Sequence, residues 1–112
     1  MHELALAENL KQIIEEQAVR QGFSRVHKVV VAVGALSCVE PCALEFCFAA
    51  VMGGSLAEEA NLEIVPIPGR GRCPKCQKEQ VLQELYDLCL DCQAPLDVVA
   101  GLEIRLQELL VE

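Results

Sequence analysis

Near the start of the chain, apolar residues recur at helical spacing. Leu6, Leu10, Ile13 and Ile14 fall at i, i+4, i+7 and i+8, while Glu8, Lys11, Gln12, Glu15 and Glu16 fill the opposite face. This predicts an amphipathic helix over 3–21. Gly22 suits a left-handed cap, with Phe23 placed to fold back on the last turn. The pattern then becomes extended. Residues 26–33, Val-His-Lys-Val-Val-Val-Ala-Val, are β-branched and bounded by Gly34, which predicts a strand covered on both faces in its middle. A second helix is expected from Pro41, a residue suited to the first helical position, to Met52. Leu44, Cys47, Phe48 and Val51 form its apolar stripe. Gly53-Gly54 interrupts it, and Ser55 with Glu58 has the form of a capping box for one further short turn.

Residues 62–67, Leu-Glu-Ile-Val-Pro-Ile, read as a strand, with Pro66 arguing for an edge position. The last segment, 102–111, fits two periods. Leu102, Ile104 and Leu106 alternate with Glu103, Arg105 and Gln107, whereas Leu102, Leu106, Leu109 and Leu110 fit a helix. A strand is the better choice, because it brings the sheet to three members and completes a layer against the two helices.

Between these last two strands lies the densest chemistry of the chain. Cys73-Pro74-Lys75-Cys76 and Cys89-Leu90-Asp91-Cys92 are separated by twelve residues. Two CxxC turns so spaced can close on one tetrahedral ion through Cys73, Cys76, Cys89 and Cys92, with zinc the expected metal and rubredoxin-like iron the alternative. Pro68-Gly69-Arg70-Gly71 has the composition of a hinge into this module. Its outer limb, residues 79–88, carries Val81, Leu82, Leu85 and Tyr86 as an expected cover for the knuckles. The predicted fold is therefore α+β, two helices packed on a three-stranded sheet with an inserted zinc-ribbon-like domain. Its divisions are 1–69 plus 98–112 for the α/β part and 70–97 for the insert. Cys38, Cys42 and Cys47 are expected to be small buried apolar residues. Cys42 and Cys47 lie about 140° apart on a helix and share no face.

Composition narrows the function. Hydrophobic residues make up 53% of the chain and aromatic residues 4%, so the core must be aliphatic. The formal net charge of −8 disfavours nucleic acid and anionic membrane surfaces as partners. No apolar run approaches the length of a membrane span. The N-terminus lacks the basic and apolar regions of a signal peptide, and an odd number of cysteines with CxxC pairing fits a reducing compartment. A cytoplasmic protein is expected. A four-thiolate site has no open position for substrate. No nucleophile–base pair or glycine-rich phosphate loop is visible, so the reading is not an enzyme.

The extreme N-terminus offers a second metal site. The Met1 α-amine, the His2 backbone nitrogen and the His2 imidazole can close fused chelate rings in one plane, an arrangement suited to Ni(II) or Cu(II). Glu3 is placed to add an oxygen or to orient the site. An exposed site made from a chain end suits holding and hand-over more than catalysis. His27 is an ordinary surface or packing histidine, with a minor claim as an auxiliary ligand.

Taken together, Met1-His2-Glu3-Leu4, the run Val33-Gly34-Ala35-Leu36-Ser37-Cys38-Val39-Glu40-Pro41, Leu62-Glu63-Ile64 and the paired CxxC unit resemble the HypA/HybF family of hydrogenase nickel-insertion proteins. The resemblance covers essentially the whole chain. It implies a nickel-binding domain of two helices on a three-stranded sheet, interrupted by a zinc domain. It implies Ni(II) held transiently through His2 with Glu3 assisting, and structural Zn(II) held by Cys73, Cys76, Cys89 and Cys92. It further implies work with a HypB-type GTPase and delivery to the large subunit of [NiFe]-hydrogenase, with urease as a second client in some members. Ala5 stands where many members carry Ser, and Cys42 and Cys47 take no inherited role. The apolar Leu109-Leu110 end allows a partner surface, and the assembly expected is a monomer or homodimer. The competing reading is a zinc-ribbon protein-interaction adaptor without a labile metal.

Overall fold

The computed structural model describes residues 3–112; Met1 and His2, and with them the expected amine and imidazole ligands, lie outside the described residues. Two helices and two three-stranded sheets are present among the described residues. In chain order they are α1 (Glu3–Gln21), β1 (Val26–Gly34), α2 (Pro41–Met52), β2 (Asn61–Ile67), β3 (Gly69–Arg72), β4 (Glu79–Leu82), β5 (Asp97–Ala100) and β6 (Ile104–Val111). The first sheet has the order β2-β1-β6, with β2 parallel and β6 antiparallel to the central β1. The second has the order β4-β3-β5 and is antiparallel throughout. The molecule is elongated, 53 × 26 × 17 Å. Its radius of gyration of 17.2 Å exceeds the roughly 13 Å of a compact chain this long.

The core of the first region lies between the helices and one face of the sheet. Ala7, Leu10 and Ile14 of α1 meet Leu44, Phe48 and Met52 of α2 over Val29, Val31 and Val33 of β1. The buried stripe of α1 is Ala7, Leu10, Ile14 and Ala18. It is rotated from the expected Leu6, Leu10, Ile13, Ile14 stripe, and Ile13 is left exposed. Small alanines let the helix approach its neighbours closely, which overrides the larger residues beside them. Gly22 caps α1 as expected, at φ 75° with its N–H donated to the Ala18 carbonyl. Along β1, every residue from Val29 to Gly34 is buried. The helices cover Val29, Val31 and Val33, while Val30 and Ala32 lie in register with Glu63, Val65, Arg105 and Glu108 of the flanking strands. Pro66 is on an edge strand, where its missing N–H costs no ladder bond.

The last segment is a strand, and a bulge explains its double periodicity. Val30 pairs with Glu108 but Val31 with Leu106, so Gln107 is the extra residue. Ile104, Leu106 and Leu109 therefore all reach the core despite the three-residue step that looked helical. Ser55 forms no capping box. Its hydroxyl donates to the Met52 carbonyl and accepts from Ala57 N–H, closing the end of α2 in a chain of turns.

The expected hinge is a strand. Gly69–Arg72 is β3, the middle of the second sheet. Both crossings between the sheets are tightly packed. A Cβ on Gly34 would fall 2.1 Å from the Gly101 carbonyl oxygen, and one on Gly101 would fall 2.6 Å from Gly69 Cα. Gly101 also has φ +108°, a conformation that side chains rarely adopt. Buried Leu36 donates its N–H to the Gly101 carbonyl, Ala35 to Ile67 and Gly34 to Glu103. The Glu103 carboxylate accepts the Gly101 N–H. These contacts brace the junction between the sheets.

Candidate metal centre

The two CxxC segments adopt the same local structure. In the first, Cys73 N–H donates to the Lys78 carbonyl, Gln77 N–H to the Cys73 carbonyl, and Cys76 N–H to Cys73 Sγ at 3.5 Å. In the second, Cys89 N–H donates to the Ala94 carbonyl, Gln93 N–H to the Cys89 carbonyl, and Cys92 N–H to Cys89 Sγ at 3.4 Å. Each knuckle closes with a glutamine in the left-handed region, Gln77 at φ 64° and Gln93 at φ 60°. A non-glycine residue there is strained by about 1 kcal/mol or more. Hydrogen bonds from the knuckle and the cage beneath it hold it in place. The repeated Cys-x-x-Cys-Gln was legible in the sequence, but its backbone meaning was not.

The tertiary fold brings the four sulfurs within 4.8 Å of one another. Cys76 Sγ and Cys89 Sγ are 3.8 Å apart. That matches the separation of about 3.8 Å between ligands of a tetrahedral ion at zinc–sulfur bonds near 2.3 Å. The donor set, the spacing and the backbone N–H groups on the sulfurs all fit a thiolate-bound metal. Cys73 and Cys89 are buried, and Ala94 and Leu96 pack against the cage. The expected cover from the outer limb is not there. Leu82 is buried beside Gly71, but Val81, Leu85 and Tyr86 are exposed, Tyr86 by 78%. The limb turns outward because Asp87 accepts the backbone N–H groups of Gln83 and Glu84, folding 83–87 into its own tight turn.

Four thiols this close cannot all ionise independently. Backbone N–H of Cys76 is the main cause that lowers Cys73 to about 7, which favours its thiolate. Hydrogen bonding to Cys76, then burial and the other thiols, pushes Cys92 up to about 12. A cation binding here must displace that proton. Lys78 reaches over the cage to Asp91 at 3.0 Å, and its ammonium is favoured by Asp91 first and by Cys76 and Cys89 as well. Arg72 and Arg70 hold Glu79 below the usual carboxylate range and close the β3–β4 hairpin.

The three other cysteines are not uniformly buried. Cys38 and Cys42 are exposed, and Cys47 is half-buried at the margin of the core. Cys38 sits at φ 64° in the turn before α2, and Cys42 lies in the first turn of that helix, whose opening points it outward. The sulfurs of these three join no ligand cluster among the described residues. His27 is an exposed side chain 2.6 Å from the Glu112 carboxylate, tying the C-terminus to β1.

Glu3, the one expected nickel-site residue described, opens α1. Its carboxylate accepts the Glu40 N–H at 3.0 Å. Glu40 in turn caps α2, its side chain accepting the Cys42 N–H at 2.9 Å. The start of α1 is thereby fastened to the head of α2. Sequence reasoning missed Glu40, because glutamate is not a preferred cap and its partner is remote in sequence.

A two-layer α+β body carrying a second sheet with a closed four-cysteine cage defines a class of small metal-handling proteins. The family model for hydrogenase/urease nickel incorporation, the metallochaperone HypA, matches residues 1–111. The chain belongs to the HypA family, a family of maturation factors rather than catalysts. It is 46% identical to the hydrogenase maturation factor HypA of Acidithiobacillus ferrooxidans and 47% identical to that of Azotobacter chroococcum, in each case over the whole of both chains. The solution structure of the Ni metallochaperone HypA from Helicobacter pylori is similar, with a TM-score of 0.74 at 26% identity. The match covers 99% of this chain and 97% of that one.

Proposed function

We propose that this protein is a nickel metallochaperone of hydrogenase maturation, taking up Ni(II) at its N-terminus and handing it on to an apo-enzyme. The carrying observation is the family match over residues 1–111. The nickel ligands in this reading are His2 with the Met1 amine, and Glu3 assists. Glu3 already holds the Glu40 N–H, so its part is to orient the chain end as much as to ligate. The α/β body carries nickel, and 70–97 with the rest of β5, through Ala100, forms the zinc domain. Cys73, Cys76, Cys89 and Cys92 hold a structural zinc ion, which when bound supplies the central crosslink of a segment with few buried side chains. The closed thiolate shell leaves exchangeable metal to the N-terminal chelate.

The partners in this reading are a HypB-type GTPase and the hydrogenase large subunit, with urease as a further client, in the cytoplasm. Among the described residues, no helix is long and apolar enough to cross a membrane. Nickel titration of the untagged protein beside His2→Ala and an N-terminally extended form tests the site. Both changes should weaken binding at least tenfold, since each removes a ligand of the chelate. Equal affinity in all three proteins sinks the N-terminal site. Binding should also weaken as pH falls, because the imidazole must be neutral to ligate. Complementation of a host lacking its own nickel-insertion factor, scored for hydrogenase and for urease activity, separates the two clients.

A further inference from the structure

The two knuckles are alike inside but are held differently from outside. Cys73 and Cys76 lie in the turn joining β3 to β4, so paired strands grip the first knuckle at both ends. Cys89 and Cys92 lie in the long connection between β4 and β5. There, beyond the knuckle's own bonds, the chain is restrained by one isolated bridge, Leu88 to Pro95, by the Arg72–Asp97 pairing that begins β5, and by the exposed Lys78–Asp91 pair. Such a pair contributes little in water.

Gln80 of β4 reaches across to this connection. Its side-chain Nε2 donates to the Leu88 carbonyl at 3.1 Å, and its Oε1 accepts the Leu90 N–H at 3.0 Å. The two backbone groups lie immediately before and after Cys89, so one primary amide supplies the donor and acceptor that a neighbouring strand would supply. The carbonyl needs a donor and the N–H an acceptor, which fixes the orientation of the amide. Between these two bonds, Cys89 is 2% exposed, with its sulfur 3.8 Å from that of Cys76.

We propose that Gln80 is a positioning residue for the metal cage: it holds Cys89 in ligating position, and without it the metal is lost through the second knuckle. The proposal rests on reading the four thiols as a metal site. Metal leaves a four-thiolate shell by stepwise release, and the pair with the weaker backbone restraint releases first. The strand-held first knuckle is the stronger pair, so Gln80 sets the retention of the whole site. Groups that orient ligands from outside the shell commonly change metal affinity by about tenfold to a hundredfold.

The test uses the full chain as wild type, Gln80→Ala and Gln80→Glu, the last nearly isosteric but unable to donate to Leu88 when ionised. Zinc affinity is measured by competition with a chromophoric chelator. During zinc removal, iodoacetamide labelling is mapped by peptide mass. Zinc affinity is expected to fall about tenfold in both variants, with Cys89 and Cys92 labelled before Cys73 and Cys76. Unchanged affinity, or simultaneous labelling of all four, overturns the proposal, because general destabilisation would expose both knuckles together. Should Gln80→Ala fail to fold, Gln80→Glu decides by the same two measurements. Zinc content of the wild type is a separate control: absence of bound zinc would remove the metal reading itself and leave the role of Gln80 without an object.

Discussion

The two sheets of this molecule are stabilised by different means. The first rests on a contiguous aliphatic core, in which Ile14, Val26, Val29, Val31, Leu44 and Met52 are almost wholly removed from water. Burying each such side chain contributes about 1.5–3 kcal/mol. The second sheet is built from strands of four residues, and the cluster at its end is chiefly the four cysteines with Ala94 and Leu96. Such a segment lacks apolar area to offset its chain entropy, so crosslinking through the cage must substitute for a core. The difference teaches that metal occupancy should govern order in one region and leave the other nearly untouched.

Removing metal should produce the largest divergence between the regions. A structural zinc site contributes on the order of 10–16 kcal/mol of apparent binding energy near neutral pH. Chelation is therefore expected to abolish amide-exchange protection in 70–97 while protection in β1 and α2 persists. Loss of protection in both together would show one cooperative unit. Next in size is Leu44→Ala, which should cost about 2–5 kcal/mol by opening a cavity between α2 and β1. Thermal melting should register that loss with the zinc content unchanged; a fall in zinc stoichiometry would mean that the core and the cage are coupled.

Gly101→Ala probes the junction. The added methyl meets Gly69 Cα at a backbone conformation disfavoured for alanine, a strain of about 1–3 kcal/mol. Because Gly69 begins β3 and Leu36 packs beside Gly101, exchange protection should fall on both sides of the crossing. A variant as stable as wild type would mean that the junction yields easily. The smallest effect expected is the acid response of the β3–β4 hairpin. Glu79 is held below its ordinary value by Arg72 and Arg70, so its contribution is complete above the unfolded carboxylate range and fades as pH falls through the depressed value. Glu79→Gln should flatten that acid dependence in the second region, followed by nuclear magnetic resonance, without altering the first.

Much of the first region was legible because its signals are local. The helix periods, the cap at Gly22, Pro41 at the start of α2 and the β-branched run of β1 each depend on neighbours in sequence. The misreadings came where packing decides. Ala7 and Ala18 joined the buried face of α1 and Ile13 was left out of it, while Leu6 stayed packed at the margin of the core, because close helix approach favours small residues. Gly69 and Gly71 looked like a hinge because glycine marks both flexible linkers and crowded backbone. A Cβ on Gly69 would lie 2.4 Å from the Leu82 carbonyl oxygen, so here it marks crowding. Nothing in the local pattern could tell which of Val81, Leu82, Leu85 and Tyr86 would turn inward.

By itself the sequence determined α1, β1, α2 and β2, the edge position of β2 and the pairing of CxxC motifs, since these follow from side-chain period, backbone stereochemistry and ligand chemistry. It also carried the family resemblance. Only the tertiary structure decided that the four sulfurs converge, that Gln80 brackets Cys89, and that Glu3 fastens the start of α1 to the cap of α2. Those contacts join residues from different elements, and their hydrogen-bond partners are set by where the sheets place them rather than by spacing along the chain.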